Sequence, residues 1–229
     1  MLLFNTDFLL DDPKGFAIFF AAVAIALVMG ITFHEFSHAA AANVQGDLTA
    51  TRLGRLSLNP RRHLDRAGTI MLVLVGFGWG KPVPVNVGNL RNGRLGMALV
   101  SFAGPAANLA LALGVAMLFR IGLLDSGGVS RSALESFDPG AWASIVGRFA
   151  VQLNLVLAAF NLLPIPPLDG GGILAGIAPR QAFPIVRFVQ RAGPFILLLL
   201  IVWSFVGDRS PLGMIFAPIA DLSDALIGR

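Results

Sequence analysis

The sequence predicts an all-α membrane protein, a polytopic helix bundle of about four to six membrane segments with a small β-hairpin or re-entrant edge strand. Of its 229 residues, 55% are hydrophobic and 13% are charged, whereas an ordinary soluble domain carries about 25% charged residues. Uncharged runs of bilayer length recur at residues 15–33, 95–119 and 149–168. We therefore expect a single integral membrane domain over residues 1–229, with a core at about 16–178 and accessory segments at about 183–229.

Charge indicates how the chain crosses the bilayer. The net charge is +4, and the basic residues cluster in three loops: Arg52, Arg55, Arg61, Arg62 and Arg66; Lys81, Arg91 and Arg94; Arg180, Arg187 and Arg191. Lys- and Arg-rich loops beside apolar spans are cytoplasmic, so the acidic N-terminus and the acidic loop at 125–138 are predicted to be external. The lipid bilayer, with its anionic headgroups, is a sufficient partner for the basic loops, so we expect no nucleic acid partner. The sequence contains no cysteine, which excludes thiolate metal ligands.

The first predicted span, at about 16–42, ends in His34-Glu35-Phe36-Ser37-His38. Residues four apart share a helix face, so both imidazoles can bind one metal ion while Glu35 takes a proton from a metal-bound water. Polar residues in a bilayer-length segment are expensive and functional by default. His34 lies about 27 Å along the helix from residue 16, which predicts a site toward the cytoplasmic side of a core about 30 Å thick.

A tetrahedral site needs a third protein ligand. The span at 95–119 runs outward and carries Asn108, for which interhelical hydrogen bonding is the expected role. The span beginning near 141 runs inward, like the first, and ends in a proline-rich turn before Asp169. Asp169 should therefore reach the depth of the two histidines and is the predicted third ligand. His63, the only other histidine, lies in a polar loop, where a local structural role is expected.

Two segments are predicted to be unusual. Residues 67–80 are apolar but too short to span, which favours a re-entrant or buried segment. In the following segment Val83, Pro84 and Val85 alternate as in an extended edge strand or hairpin. Such an edge could capture an unfolded peptide by β-augmentation, although an ordinary Pro-rich connector remains the alternative. Near the C-terminus, residues 183–207 predict a further span, and 211–227 a short span or interfacial helix.

Five blocks of sequence together resemble one protein family. They are His34-Glu35-Phe36-Ser37-His38; Gly46-Asp47 with Leu58-Asn59-Pro60 and His63-Leu64-Asp65; Pro82-Val83-Pro84-Val85-Asn86; Gly104-Pro105-Ala106-Ala107-Asn108; and residues 161–171. In this order they resemble the site-2 protease family of intramembrane zinc metalloproteases, over roughly residues 30–172. The chain is similar to a compact member of that family, because no stretch has the length or composition of a PDZ or CBS domain.

The resemblance implies three transmembrane helices that hold one Zn²⁺ per chain between the first and the third, with Asp169 as the third ligand. It also implies that Asn161 contacts the substrate or the developing oxyanion. A transmembrane helix shields its carbonyls by internal hydrogen bonds, so cleavage needs local unwinding, and we expect the substrate to be the membrane segment of a single-span protein in regulated intramembrane proteolysis. Two other classes stay open: a membrane metallopeptidase acting on prenylated peptides, which usually recruits a Glu as third ligand, and a non-catalytic binding protein or zinc carrier. The oligomeric state is not predicted.

Overall fold

The computed structural model describes residues 11–68, 70, 80–206 and 211–229. The described chain is almost entirely helical, which confirms the predicted all-α class. Its helices are α1 (Pro13–Val44), α2 (Thr49–Arg52), α3 (Gly93–Arg120), α4 (Arg131–Glu135), α5 (Pro139–Asn161), α6 (Asp169–Ile177), α7 (Phe183–Val206) and α8 (Pro211–Ile227). Predictions for the N-terminal acidic stretch before residue 11, and for most of the apolar segment at 67–80, lie outside the described residues.

Four of the described helices are long and apolar enough to cross a membrane. These are Pro13–Val44, Gly93–Arg120, Pro139–Asn161 and Arg180–Ser204, the last including the 3₁₀ turn that precedes α7. The predicted spans at 16–42, 95–119 and from 141 onward therefore correspond to α1, α3 and α5. Helix α8 has 17 residues and is shorter than a typical span of about 20.

Helices α1, α3 and α5 pack against one another as a three-helix bundle. The buried face of α1 carries Ala22, Ala26 and Gly30, one turn apart, whereas Ile25 and Phe33 are exposed. Lipid is as apolar as leucine, so small residues that allow close backbone approach are favoured between transmembrane helices, and large apolar residues can face outward. This distribution is typical of a membrane bundle and brings the three backbones close to the polar end of α1.

The remaining helices flank this bundle. Helix α6 packs on α3, and α8 packs on α5 and α3, while α7 contacts α6 and α8. One apolar cluster joins α3, α5 and α8 through Ala112, Ala116, Phe119, Val151, Leu155, Ile219 and Ile227. The C-terminal helices therefore support the bundle from outside.

Local signals define both ends of α1. Asp12 caps its start by accepting a hydrogen bond from Gly15 N (3.0 Å), and Pro13 occupies the first helical position, as is common in helices. At the other end Gly46 has φ of +101°, a conformation in which a side chain is strained. The chain thereby turns sharply into the loop that carries Asp47.

The predicted β-hairpin or edge strand is wrong. Within the described residues, the segment that contains Val83, Pro84 and Val85 forms no strand ladder and leads into the 3₁₀ turn Val87–Asn89. The described chain shows a single isolated antiparallel bridge, between Leu64 and Gly80. Two prolines in five residues remove two of the backbone donors that a continuous ladder needs, and Val83 and Val85 keep theirs, so the segment is a connector held by other contacts, described below.

Candidate metal centre

Three side chains from two distant parts of the chain meet at the end of α1. His34 Nε2 lies 3.1 Å from Asp169 Oδ2, and His38 Nε2 lies 3.2 Å from Asp169 Oδ1. The two Nε2 atoms are 3.0 Å apart, and one donor atom from each residue falls within 4.8 Å of the others. Both histidines are buried and Asp169 is half-buried. The structure thus brings together the three predicted metal ligands.

Helix α6 places Asp169 through unusually close backbone packing. A Cβ on Gly171 would lie 2.7 Å from Pro166 Cγ, and one on Gly170 would collide with the backbone of Leu162 and Leu163. Further along α6, a Cβ on Gly176 would lie 2.5 Å from Ala98 Cβ of α3. Only glycine fits such approaches, so the sequence after Asp169 fixes the position of its carboxylate against α3 and the proline-rich turn.

The far nitrogens of both imidazoles are hydrogen-bonded, which sets their tautomers. His38 Nδ1 donates to Val100 O at 2.7 Å, and His34 Nδ1 donates to Asn108 Oδ1 at 2.6 Å. A backbone carbonyl can only accept, so His38 must carry a proton on Nδ1, and its neutral imidazole, the form that binds a metal, presents an unprotonated Nε2 to the centre. Hydrogen bonding at the far nitrogen is usual for metal-bound histidine.

This donor set fits a metal ion. Two imidazole nitrogens and a carboxylate converge, and Asp169 Oδ2 is buried without a hydrogen bond in the described part of the chain. With both imidazoles neutral and protonated on Nδ1, the lone pairs of these donor atoms would repel one another unless a cation lay between them. Two imidazoles and one carboxylate are a zinc ligand set that leaves a fourth tetrahedral position for water. His34, His38 and Asp169 are therefore chemically suited to zinc.

Gly104 of α3 lies directly behind the imidazoles. A Cβ at this position would stand 2.6 Å from both His34 Cε1 and His38 Cε1 and would collide with His38 Nε2. The absence of a side chain here lets α3 approach α1 closely enough for Val100 and Asn108 to reach the two Nδ1 atoms. The small-residue block at 104–108 therefore positions the ligands as well as packing the helices.

Glu35 faces a different set of neighbours. It is buried, and its Oε1 would lie 3.1 Å from a Cβ on Gly80. No hydrogen bond to its carboxylate is found within the described residues, which leaves it available to a substrate or a water. Arg55, which is 5% exposed, interacts electrostatically with Glu35: burial lowers the pKa of Arg55, and the charge of Glu35 opposes that shift.

Arg55 ties together the loops beside Glu35. Its guanidinium donates to the carbonyls of Arg62 and Lys81, and to Pro82 O at 3.2 Å. One planar group thus connects the loop after α2 to the start of the segment at 81–86. The start of that segment is held near Glu35 by this arginine and by one backbone hydrogen bond, from Lys81 N to His63 O at 2.7 Å.

A second anchor holds the far end of the same segment. The buried Asp47 carboxylate accepts bonds from Thr49 Oγ1 (2.6 Å), Asn86 N (2.7 Å) and Asn89 Nδ2 (3.0 Å). Burial alone would raise the pKa of Asp47, but these bonds outweigh it and lower the pKa to about 2. Asp47 is thus a charged clamp between the end of α1 and the connector.

Two predicted site residues have local partners. Asn161 is half-buried at the end of α5, and its Nδ2 donates to Leu157 O of the same helix at 2.9 Å. A carboxamide nitrogen has two hydrogens, so one remains for another acceptor. His63 is fully buried, and its Nε2 donates to Ser57 O at 2.5 Å. It is outside the cluster of metal-ligating atoms, in keeping with the predicted local role.

Two residues of the site were missed by the sequence reasoning. Asn154 of α5 is fully buried and hydrogen-bonds to Asn108; its signal was an amide inside an uncharged run, where polar groups are costly. Arg55 had no distinguishing signal, because it is one of five arginines in its loop. Only the folded chain separates it from its exposed neighbour Arg52.

Comparisons with known proteins agree with this chemistry. The model of the family described as "Peptidase family M50" matches residues 126–202. "Putative zinc metalloprotease YwhC" of Bacillus subtilis is 41% identical over 180 residues, which are 79% of this chain and 80% of that protein. "Putative zinc metalloprotease Rip2" of Mycobacterium tuberculosis is 32% identical over 200 residues, 83% of this chain and 69% of that protein.

A more distant relative comes from an archaeon. "Putative zinc metalloprotease MJ0611" of Methanocaldococcus jannaschii is 28% identical over 172 residues, 73% of this chain and 76% of that protein. No solved structure matches the chain at a significant level.

Proposed function

The chain belongs to peptidase family M50, and from that membership we propose that it cleaves peptide bonds within or near transmembrane segments of membrane proteins. It is a zinc metalloprotease with several membrane-crossing helices. The observation that carries the proposal is the convergence of His34, His38 and Asp169 at the end of a helix long enough to span the bilayer. The same helix turn supplies Glu35.

In this proposal each side chain has a distinct role. His34, His38 and Asp169 would hold the metal, which when bound would supply a water of lowered pKa, roughly 7, and a Lewis acid for the peptide carbonyl. Glu35 accepts a proton during attack on the peptide carbonyl and returns it to the leaving amine. The free N–H of Asn161 would stabilise the oxyanion that develops on the substrate; loss of one such donor typically costs about 10²–10³ in rate.

The setting favours a membrane-protein substrate. In a transmembrane helix every backbone carbonyl is hydrogen-bonded internally and therefore shielded from attack. Cleavage requires local unwinding, so helix-breaking residues near the scissile bond should favour it. The open backbone edge at Val83, Pro84 and Val85 would pair with the unwound stretch, and the basic loops would place the site toward the cytoplasmic side. A single-span membrane protein is the expected substrate.

The two alternative classes lack a comparable observation. A prenyl-peptide enzyme usually recruits a glutamate as third ligand, but Glu135, the only glutamate besides Glu35, forms an ion pair with Arg131 at 2.8 Å in α4. A zinc carrier would need no proton acceptor, whereas Glu35 is retained beside the ligands. Neither class accounts for both Asp169 and Glu35.

Metal analysis and a cleavage assay on the same preparations test the proposal. We expect one zinc per chain in the purified wild type, much less in Asp169→Ala, and an unchanged amount in Glu35→Gln. The wild type should cleave a reconstituted single-span substrate, and Glu35→Gln should be slower by about 10²–10⁴-fold. Arg52→Met, an exposed change outside the site, is the control. Cleavage by Glu35→Gln at the wild-type rate, or full zinc in Asp169→Ala, would contradict the assignment.

A further inference from the structure

We infer that Asn154 is a positioning residue for the metal centre. Through Asn108 it fixes the proton of His34 on Nδ1, so that Nε2 is already unprotonated when zinc arrives. The inference rests on the proposed role of His34 as a metal ligand. It assigns to α5, which supplies none of the three proposed ligands, a direct part in metal affinity.

A continuous chain of hydrogen bonds runs through the buried bundle from α5 to α1. Asn154 Nδ2 donates to Ala150 O at 2.7 Å, and Asn108 Nδ2 donates to Asn154 Oδ1 at 2.7 Å. Asn108 Nδ2 also donates to Gly30 O at 3.1 Å, and Asn108 Oδ1 accepts from His34 Nδ1 at 2.6 Å. Both asparagines are fully buried, so water does not compete for these bonds.

The direction of this chain is forced by two backbone carbonyls. Ala150 O can only accept, so the nitrogen of the Asn154 amide must face it and the oxygen must face Asn108. Gly30 O can also only accept, so Asn108 must turn its nitrogen toward Gly30 and Asn154. That leaves the Asn108 oxygen for His34, and an oxygen requires the imidazole proton to be on Nδ1.

The opposite direction would defeat metal binding. If Asn108 presented its nitrogen to His34, Nδ1 would have to be the acceptor and the proton would move to Nε2. That proton would point at Asp169 and His38, where the metal is proposed to sit. Two groups of the described chain disfavour the reversed amide: Gly30 O from α1, at 3.1 Å, and Asn154 Oδ1 from α5, at the shorter distance of 2.7 Å. A flipped Asn108 would face both of them oxygen to oxygen.

The packing of Gly30 supports the same assignment independently. A Cβ at Gly30 would lie 3.0 Å from Asn154 Oδ1, 3.3 Å from Asn154 Nδ2 and 3.0 Å from the flexible end of Leu157, its Cδ1. Glycine at this position therefore lets the amide of Asn154 approach the α1 backbone one turn before His34. Because the fit is close, Gly30→Ala should displace Asn154 even though the side-chain amides of Asn108 and Asn154 are both still present.

The first test replaces Asn154 by leucine, which has the same branched arrangement of heavy atoms, a somewhat larger volume and no hydrogen-bonding group in its side chain. We expect zinc affinity, measured by competition with a chelator, to fall about 10–100-fold, the usual cost of losing a partner that orients a ligand. In the metal-free protein, ¹⁵N spectra of His34 should show the Nδ1–H tautomer in the wild type and a mixture in Asn154→Leu. Ser144→Ala removes another buried polar group of α5 (2% exposed, bonded to Gly140 O) and should change neither quantity.

A second pair of variants keeps the test decisive if Asn154→Leu does not fold. Gly30→Ala should weaken zinc binding severalfold and disturb the His34 tautomer. Gly114→Ala in α3 is its matched control, because a Cβ there meets nothing within 4 Å. Wild-type affinity and tautomer in both Asn154→Leu and Gly30→Ala, or an Nε2–H tautomer of His34 in the metal-free wild type, would overturn the inference.

These outcomes are separable from a failure of the proposed function. A wild type that binds zinc and loses cleavage on Glu35→Gln, yet keeps its affinity in Asn154→Leu, refutes the role of Asn154 alone. A wild type with the Nδ1–H tautomer that binds no zinc supports the hydrogen-bond chain and refutes the metal site.

Discussion

The two sides of the candidate site are built in different ways. The imidazole side is held by transmembrane helices, through buried side chains of α3 and α5 that fix His34 and His38. The Glu35 side is held by loops, through the guanidinium of Arg55 and the carboxylate of Asp47, which both bind backbone groups of the connector at 81–89. The helical side suits a fixed metal geometry, and the loop side suits a surface against which a substrate must be placed.

This difference implies that metal binding and substrate handling can be disrupted separately. Changes on the helical side should remove zinc first and activity as a result. Changes on the loop side should leave zinc in place and slow turnover. The following variants test that separation.

Gly104→Ala should have the largest effect. Its Cβ would stand 2.6 Å from the Cε1 atoms of His34 and His38, a distance that forces the helices or the rings apart. We expect loss of stoichiometric zinc and of all cleavage, measured by metal analysis beside the control Gly114→Ala. Full zinc in Gly104→Ala would show that α3 can shift to accommodate the added Cβ and that the helical side is not rigid.

Arg55→Met should separate the two sides most clearly. The change leaves the carbonyls of Arg62, Lys81 and Pro82 without their donor while preserving much of the apolar stem. We expect full zinc content and a fall in turnover of up to about 10²-fold, because small displacements of a positioning element have effects of that size.

Two further variants calibrate this result. Arg55→Lys should restore little activity, since an ammonium lacks the planar fork that reaches several carbonyls. Arg52→Met, in the same loop but exposed, should behave as the wild type. Loss of zinc in Arg55→Met would mean that the loop side also holds the metal, and would contradict the proposed separation of the two sides.

The sequence predicted the helical side far better than the loop side. Residue spacing on one helix and the direction of two spans were sufficient to select His34, His38 and Asp169, because helix geometry repeats. The loop side depends on one arginine meeting three backbone carbonyls, and no spacing rule specifies such a contact. The same reason explains the wrong strand at 81–89: alternating valines suggested a ladder, but the partner of that backbone is Arg55.

Asn154 falls between these cases. An amide in an uncharged run is costly without a buried partner, but the sequence-based prediction did not use this signal. The identity of that partner depends on which face of α5 packs against α3. Hydrophobicity alone does not determine that face in a helix that is apolar on all sides.

Proline substitution of the connector tests whether its backbone contacts the substrate. Val83→Pro and Val85→Pro each remove one N–H donor without touching the anchors at Arg55 and Asp47. If these donors pair with substrate, turnover should fall about 2–10-fold for each, the size of a lost hydrogen bond, with zinc unchanged. Val85 also packs against the cluster of Ala42, Leu90 and Val100, so Val85→Ala is its control. Unchanged turnover in both proline variants would exclude strand capture.

Acid should weaken the loop side by protonating Asp47. This is the smallest of the expected effects, because Asp47 stays charged at neutral pH. Hydrogen bonds from Thr49, Asn86 and Asn89 keep the folded pKa at about 2, below the ordinary value of 3.8. A carboxylate with a depressed pKa contributes stability that is complete above its unfolded pKa and is lost as pH falls through its folded pKa. The contribution of Asp47 should therefore be full above about pH 4, decline between about 4 and 2, and vanish below that.

Amide hydrogen exchange tests whether stability is lost in this pH range on the loop side and not on the helical side. In the wild type, protection at Asn86, which donates to Asp47 at 2.7 Å, should fall as pH drops from 4 toward 2, after correction for intrinsic exchange rates. In Asp47→Asn the protection should be low throughout and independent of pH in that range, because a carboxamide has no charge to lose. Protection within α5 should stay the same in both proteins, since its hydrogen bonds are independent of Asp47. Equal acid responses of Asn86 in the two proteins would assign the loop's stability to another group.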